Sequence, residues 1–506
     1  MPQKSGGEKN RFLYKQRDKW VGNLVKFGAM NILMVASEMA PFARCGSLAD
    51  SMLALPSALQ ARGMQVSVVL PLYRSAREQT KYKVVPTDVK FMVNVGDASH
   101  ECRIFESRLE NGLQVFFIGK DEFFDRSGLY GADGRDYQDN SERFIFFNKS
   151  VLELARRLDP SPDLIHGHDW PCGMLSVFAK YRNLPFPQVF TVHDLGFQGN
   201  FWSYDFGLTN LPPDYFSPHG VEFYGSLNFL KSGLLFSDRV VFPSDLFIDE
   251  IQRPGQGCGL ENLLKENREK LVGIPEGVDD DTWNPQRDTL LPKNYSSADT
   301  RGKTDCRDGL LKELSLRPSP EGPVLAMVTR LLQDKGLDIL LPALDRILAS
   351  DVRLVILGRG EAPYEAGLKA AARKHEGKFH YESDSNEDLA RKIYAGADIL
   401  LAPARLEASG SRVMQALRYG AVPVVRASGG LRQLVEDFDP ATGMGNGFVF
   451  YDFSADALVD CFRRAEEVFK EREVWGRLMA RGMQMDCSWA ACAERHERLY
   501  GQLVGA

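Results

Sequence analysis

A chain of 506 residues is longer than one ordinary domain and predicts two. Its 44% hydrophobic and 26% charged content are those of a globular protein, and a net charge of −6 excludes a general nucleic-acid binder. Any anionic ligand must then be met by local cations or backbone amides, because the global field is repulsive.

Residues 1–29 carry seven Lys/Arg against two acidic side chains and no long apolar run, so they do not read as a secretory signal. A basic amphipathic helix through Trp20, Leu24, Val25 and Phe27 at a membrane surface is one reading, but the preferred ones are a disordered extension, or a mistaken start with Met30 as the true first residue. No apolar run anywhere reaches the roughly 20 residues of a membrane span, so no stable membrane insertion is expected. The eight cysteines are scattered without a CxxC pair, which predicts reduced thiols in a cytoplasmic protein and no zinc site.

Asn31 to Ser37 is the first buried strand, followed by a loop, a helix over about 48–62, and a strand from Gln65 to Leu70. This β-loop-α-β order predicts a parallel sheet. The loop Arg44-Cys45-Gly46-Ser47 opens the helix, so its amides form a candidate phosphate cradle, a weak signal by itself. Shorter strands are expected at 91–95, 103–109 and 115–118, then a helix over 141–158. The strand Asp163 to Ile165 runs into His166-Gly167-His168-Asp169-Trp170. An HxH pair invites a metal, but no third ligand lies nearby, and a ligand loop or hydrogen-bonded histidines fit better. Gln188 to Val192 ends in His193-Asp194, so two successive strands deliver His/Asp loops to one crevice.

A helix over 228–236 and a strand over 239–242 complete the first half, and the polar, Pro-rich residues 286–303 read as a linker. The next strand, Val324 to Val328, runs into a loop bearing Arg330 and Lys335, and an apolar helical stripe follows. Two cations on a loop leaving a strand are either ordinary solvated charges or a clamp for a diphosphate. The βα alternation continues through strands at 352–357, around Phe379, at 397–402 and at 422–425. Glu407 and Gly410 open one helix and Ser428-Gly429-Gly430 another, and Asp456 to Leu503 is helical. Gly358-Arg359-Gly360 lacks a third glycine and does not define a dinucleotide site. The fold class is α/β, with two doubly wound Rossmann-like domains facing each other across a cleft. The expected boundaries are 30–285, a linker at 286–303, 304–485, and a C-terminal segment 486–506.

These stretches together resemble the bacterial glycogen and plant starch synthases. The carriers are Ser37 to Ala43 with Gly46 and Leu48-Ala49-Asp50, His166 to Trp170, Thr191 to His193, Phe197-Gln198-Gly199, Phe223-Tyr224-Gly225 with Asn228 to Lys231, Asp281 with Trp283 to Pro285, Arg330 with Lys335 to Asp338, and Ala416 to Gly420. The resemblance spans Met30 to about Tyr500 and implies a GT-B retaining glucosyltransferase. Such an enzyme moves glucose from a nucleotide sugar, usually ADP-glucose, to the 4-hydroxyl at the non-reducing end of an α-1,4-glucan, without a metal or cofactor. Its partners would be the nucleotide sugar and the glucan polymer, and its last helices would cross back to the first domain.

Carried over by residue, the resemblance makes Arg330, Lys335, Glu407 and His193 catalytic. Donor binding would fall to Arg44, Gly46, Asp50, Asn228, Gly410, Arg412, Ser428, Gly429 and Gly430. Sugar or acceptor positioning would fall to His168, Asp169, Trp170 and Gln198. The chain also departs from the pattern. Arg44 replaces a lysine and Ser47 a glycine of the donor loop, Arg412 replaces a phosphate-facing threonine, and Asp194 and Glu276 stand where asparagines are usual. It therefore reads as a divergent paralogue, with two alternatives: a catalytically weak glucan-binding regulator, or a GT-B enzyme with another donor or acceptor.

Overall fold

The computed structural model describes residues 30–505, so the expectations for 1–29 lie outside the described residues. Two sheets divide the chain. The first has nine strands in the order Leu271–Gly273, Arg239–Phe242, Gln188–Thr191, Leu164–His168, Asn31–Val35, Gln65–Pro71, Gln114–Gly119, Ala98–Arg108 and Val85–Val95. All neighbours are parallel except the last two pairings, which are antiparallel. The order reverses beside Asn31–Val35, between Gln65–Pro71 and Leu164–His168. Ligands of such sheets bind outside the carboxyl ends at that reversal.

The second sheet has six parallel strands in the order Phe379–Glu382, Arg353–Leu357, Val324–Val328, Ile399–Ala402, Val422–Arg426 and Phe448–Phe450. Its reversal falls between Val324–Val328 and Ile399–Ala402, so the loops carrying Lys335 and Glu407 leave adjacent strands. The central strands are buried on both faces because helices cover both sides, which is why they read as continuous apolar runs. Helix Leu337–Leu348 buries Leu337, Leu340, Leu344 and Leu348 along one stripe of 3.6-residue periodicity.

Three sequence expectations needed correction. Val85–Val95 and Ala98–Arg108 form a hairpin of two eleven-residue strands, longer than expected, because one face is solvated and only alternate residues are apolar. Phe448–Phe450 is a sixth strand, too short to carry a periodicity signal. Residues 286–303 are not a free linker. Leu291 and Tyr295 are buried in the second domain's core, the Tyr295 hydroxyl donates to the Tyr419 carbonyl (2.8 Å), and the buried Lys303 Nζ donates to the carbonyls of Tyr394, Ala395 and Tyr419. A few apolar anchors among polar residues have no period, so their packing is invisible in the sequence.

The terminal helices Ala455–Lys470 and Arg472–Met483 pack on the second domain. Helix Trp489–Val504 instead lies on helix Leu48–Ala61 of the first, placing Cys492, Ala493, Leu499 and Tyr500 in that domain's core. The Tyr500 hydroxyl and His166 Nδ1 are 2.7 Å apart. A second contact between the domains joins helix Asp245–Ile251 to helix Gly429–Leu434, where the Ser244 hydroxyl donates to Gln433 Oε1 (2.7 Å). Because Leu499 is 2% exposed in this interdomain seam, Leu499→Ala should cost about 2–5 kcal/mol. A lowered denaturant midpoint checks this, and an unchanged midpoint would mean the helix contributes no packing.

Candidate active site

The best-formed constellation sits at the reversal of the second sheet. Gly336, at φ +80°, ends the loop after Val324–Val328, and a Cβ there would lie 2.1 Å from the Pro403 carbonyl oxygen. Only glycine permits so close an approach of the two loops. The approach is pinned by the Arg405 amide, which donates to the Asp334 carbonyl (2.7 Å), and by Arg405 Nη2 on Asp338 Oδ2 (2.9 Å). The result is a mostly buried ammonium between two carboxylates: Lys335 Nζ is 3.0 Å from Asp334 Oδ2 and 3.1 Å from Glu407 Oε2. Burial works against that charge, but Glu407 and Asp334 outweigh it and hold the Lys335 pKa above the usual lysine range. Sequence reasoning missed Asp334, although its place beside Lys335 was the available signal.

Lys335, Glu407, Gly410 and Arg412 line one cavity of about 390 Å³ with Thr329 and Leu431. Gly410, at φ +71°, caps helix Ser411–Arg418, and its amide donates to Glu407 Oε1 (3.3 Å). Arg412 Nη1 donates to Gln415 Oε1 at 3.2 Å, and the residue is exposed. Arg330 is exposed on the same loop as Lys335, with no side-chain hydrogen bond or ion pair among the described residues. One exposed guanidinium, that of Arg330, is thus uncommitted on the loop that carries the fixed ammonium.

In the first domain, the strand ends bring His168, Asp169 and His193 together. His193 Nδ1 is 2.9 Å from Glu276 Oε1, and its Nε2 is 3.1 Å from His168 Nδ1. Asp169 Oδ1 accepts the His193 amide (2.8 Å). Asp169 holds that position at φ +57°, a left-handed conformation that costs a non-glycine residue on the order of 1–3 kcal/mol. Burial pushes the Asp169 carboxyl up to about 6, with the His193 charge opposing it. His168 and His166 are driven well below the usual histidine range, first by burial and then by neighbouring imidazoles. His166 is bonded on both sides, by the Tyr500 and Thr191 hydroxyls at 2.7 Å each. Among the described residues, no group of three His, Cys, Asp or Glu side chains is placed to hold a metal ion.

Several residues expected to contact donor or acceptor are spent within the protein. The amides of Cys45 and Gly46 donate to Glu38 Oε2 (2.6 and 2.8 Å), so the loop amides already hold a carboxylate. Arg44 and Asp50 form an ion pair with each other. Ser47 sits at φ −70°, so this backbone does not require the family's glycine. Asn228 is fully buried: its Oδ1 caps helix Phe229–Phe236 through the Lys231 amide (2.6 Å), and its Nδ2 donates to Gln198 Oε1 (2.9 Å) and Asn200 Oδ1 (2.7 Å). Gln198 Nε2 in turn donates to the Cys258 carbonyl (3.0 Å). Trp170 packs among Tyr130, Phe144, Phe201 and Phe229. Ser428 Oγ donates to the Ala404 carbonyl (3.2 Å). The Gly429 amide donates to Glu250 Oε2 across the domain boundary (2.7 Å), and the Gly430 amide to the Glu407 carbonyl (2.9 Å). These two amides fasten the domains and the Glu407 loop, and are not free for phosphate. Glu250 and the Tyr130 hydroxyl, which donates to Glu38 Oε1 (2.6 Å), carried no sequence signal because their partners are distant in the chain, and Glu38, though within a recognised motif, gave no sign of holding the loop amides.

Two Rossmann-like domains, each with ligand-type loops at the carboxyl ends of its sheet, are the architecture of a GT-B glycosyltransferase. Residues 31–266 match the starch synthase catalytic domain family, and residues 315–478 match the glycosyl transferases group 1. The chain is 39% identical over 477 residues to glycogen synthase 2 of Geobacter sulfurreducens, covering 93% of this chain and 98% of that one. It is 39% identical over 489 residues to the glycogen synthase of Desulforamulus reducens, covering 94% and 99%. Among solved structures it is similar to the catalytic domain of starch synthase IV from Arabidopsis thaliana bound to ADP and acarbose, with TM-score 0.83, 28% identity, and coverage of 94% and 100%. A sucrose-phosphate synthase of Thermosynechococcus elongatus, 16% identical with TM-score 0.56, shares the fold. The chain belongs to the glycogen and starch synthase family, and its activity is glucosyl transfer in glycogen synthesis.

Gly336→Ala should force the Lys335 and Glu407 loops apart, since its Cβ would meet the Pro403 carbonyl oxygen at 2.1 Å. The expected loss of turnover is about 100-fold, in line with a misplaced catalytic group. Steady-state kinetics on the folded variant checks it, and near-normal turnover would mean the loop spacing is unimportant.

Proposed function

We propose that this chain transfers glucose with retention from ADP-glucose to the 4-hydroxyl at the non-reducing end of an α-1,4-glucan, in the cytoplasm and without a metal. The observation that carries the assignment of roles is the Lys335–Glu407 pair at 3.1 Å, set at the reversal of the second sheet. Lys335 and Arg330 bind the diphosphate, Lys335 as a held point charge and Arg330 as a free fork. Arg412 adds a third cation to the same wall. Glu407 accepts hydrogen bonds from donor glucose hydroxyls, and Asp169 and His193 shape the opposite side of the sugar. Because both ring nitrogens of His193 are engaged, it meets the sugar through its ring edge and backbone. The ADP-bound starch synthase IV of the same fold supports ADP as the nucleotide.

In the reaction, the bond from the sugar's C1 to the diphosphate oxygen breaks, and its electron pair goes to the leaving diphosphate. The acceptor 4-oxygen bonds to C1 from the same face and passes its proton to a departing phosphate oxygen. No protein nucleophile is required. Charge grows on the diphosphate as the bond lengthens, so preorganised cations lower the barrier more than they tighten ground-state binding. The metal-free assignment follows from this chemistry, in which three side-chain cations neutralise the leaving group.

The test is incorporation of glucose into glycogen by the purified full chain, with ADP-glucose and UDP-glucose side by side. Lys335→Ala should lower kcat by about 100- to 1,000-fold, the cost of deleting one electrostatic stabiliser, and leave glycogen binding almost unchanged. Equal losses in turnover and binding would remove Lys335 from the catalytic role. Transfer from UDP-glucose alone would overturn the donor assignment.

A further inference from the structure

The Glu276 carboxylate is the least expected group in the site, because it adds negative charge where a diphosphate must enter. Its contacts account for it. Oε1 meets both His193 Nδ1 at 2.9 Å and the Ser51 hydroxyl at 2.8 Å. A carboxylate only accepts, so the proton of that pair resides on Nδ1 of His193. The other nitrogen, Nε2, faces His168 Nδ1 at 3.1 Å, and a neutral His168 with its proton on Nε2 can accept there. His168 Nε2 is buried without a partner and lines a cavity of about 340 Å³ with Ser51, His193, Glu276, Cys492 and His496.

We propose that Glu276, pinned by Ser51, is a positioning residue that holds His193 as a fixed imidazolium beside the donor pocket, so that the pair presents no net negative charge to the diphosphate. The inference rests on the reading of His193 as part of the glucosyl-transfer site.

The groups facing His193 favour this state from every side. Asp169 lies on its backbone, Asp194 follows it in the loop, and Glu276 comes from the loop after strand Leu271–Gly273. Opposing them are His166 and His168 from strand Leu164–His168 and His496 from the returning helix Trp489–Val504, and burial pushes all three below the usual histidine range. They are therefore neutral and do not repel a cation. Burial works against the charge on His193 too, but Asp169, the Glu276 hydrogen bond and charge, and Asp194 together raise it to about 9. For Glu276, burial acts upward, and the bond and charge of His193 with the Ser51 bond outweigh it and lower the carboxyl.

The sign follows directly. Below about pH 9 His193 keeps its proton and the pair is neutral overall; above it the proton leaves and the Glu276 charge stands alone against the incoming diphosphate. Wild-type kcat/KM for the donor should fall on an alkaline limb near pH 9, with KM rising. In Glu276→Gln the amide still accepts from Nδ1 but supplies no charge. His193 then keeps only Asp169 and Asp194 as raising charges, so it titrates lower than in the wild type, and a fall of about 30-fold in charged fraction at pH 8, which a full return to about 6.5 would give, is the upper bound of the effect. Ser51→Ala should move the limb less, in the same direction.

The experiment combines pH–rate profiles of wild type, Glu276→Gln and Ser51→Ala with NMR titration of histidine-labelled full-length protein, after thermal unfolding has shown each variant folded. The proposal stands if the limb near pH 9 and the His193 titration move down together in Glu276→Gln. It is overturned if His193 titrates at the same pH in both proteins, or if the limb stays while the titration moves. If the wild type transferred no glucose, the proposed function would fall. The NMR titration would still decide the charge on His193, and an unshifted value there would overturn the inference itself.

Discussion

Everything in the cleft depends on keeping a lysine charged where water is scarce. Lys335 is mostly buried, and an unpaired ammonium there would lose its proton or pull the loop outward. Asp334 and Glu407 prevent both, and they come from loops leaving neighbouring strands. The ion pair therefore fixes loop geometry and charge state in one interaction. Gly336 makes it sterically possible by letting the Pro403 carbonyl approach to a distance that no Cβ allows. A broken pair leaves a half-buried carboxylate in Glu407 without its counter-charge, which is more harmful than a missing contact.

Carboxylates also occupy the places where amides had been expected to meet phosphate. Glu38 fills the nest of Cys45 and Gly46, and Glu250 reaches across the domain boundary to Gly429. Buried N–H groups are costly without a partner, so each anion stabilises a loop that would otherwise expose its donors. On the proposed reading, a nucleotide diphosphate is met by side-chain cations instead: Arg330, Lys335 and Arg412. The departures from the family pattern fit that arrangement. Ser47 has an ordinary φ and is tolerated, Arg412 adds a charge, and Glu276 is paired with His193.

The two halves are also joined through their chemistry. The helix that returns from the second domain bonds His166 through Tyr500 and lends His496 to the cavity behind His193. Its docking buries apolar surface and at the same time sets the dielectric around the histidines that shape the first domain's side of the cleft.

The α/β class, the two sheets and their main strands are legible in the chain alone, because apolar runs buried on both faces and helical stripes are local signals. So is the place of Arg330, Lys335 and Glu407 at strand ends, where parallel sheets bind ligands. Only the tertiary structure decided which groups are free. Asn228, Gln198, Gly429 and Gly430 carry the right chemistry, yet their hydrogen bonds are spent on partners far away in the chain, and Arg44 and Asp50 are spent on each other. The same held for residues 286–303, whose anchors fill a core that no local period announces. Hydrogen bonds and ion pairs between distant residues are set by packing, and packing is a property of the folded whole.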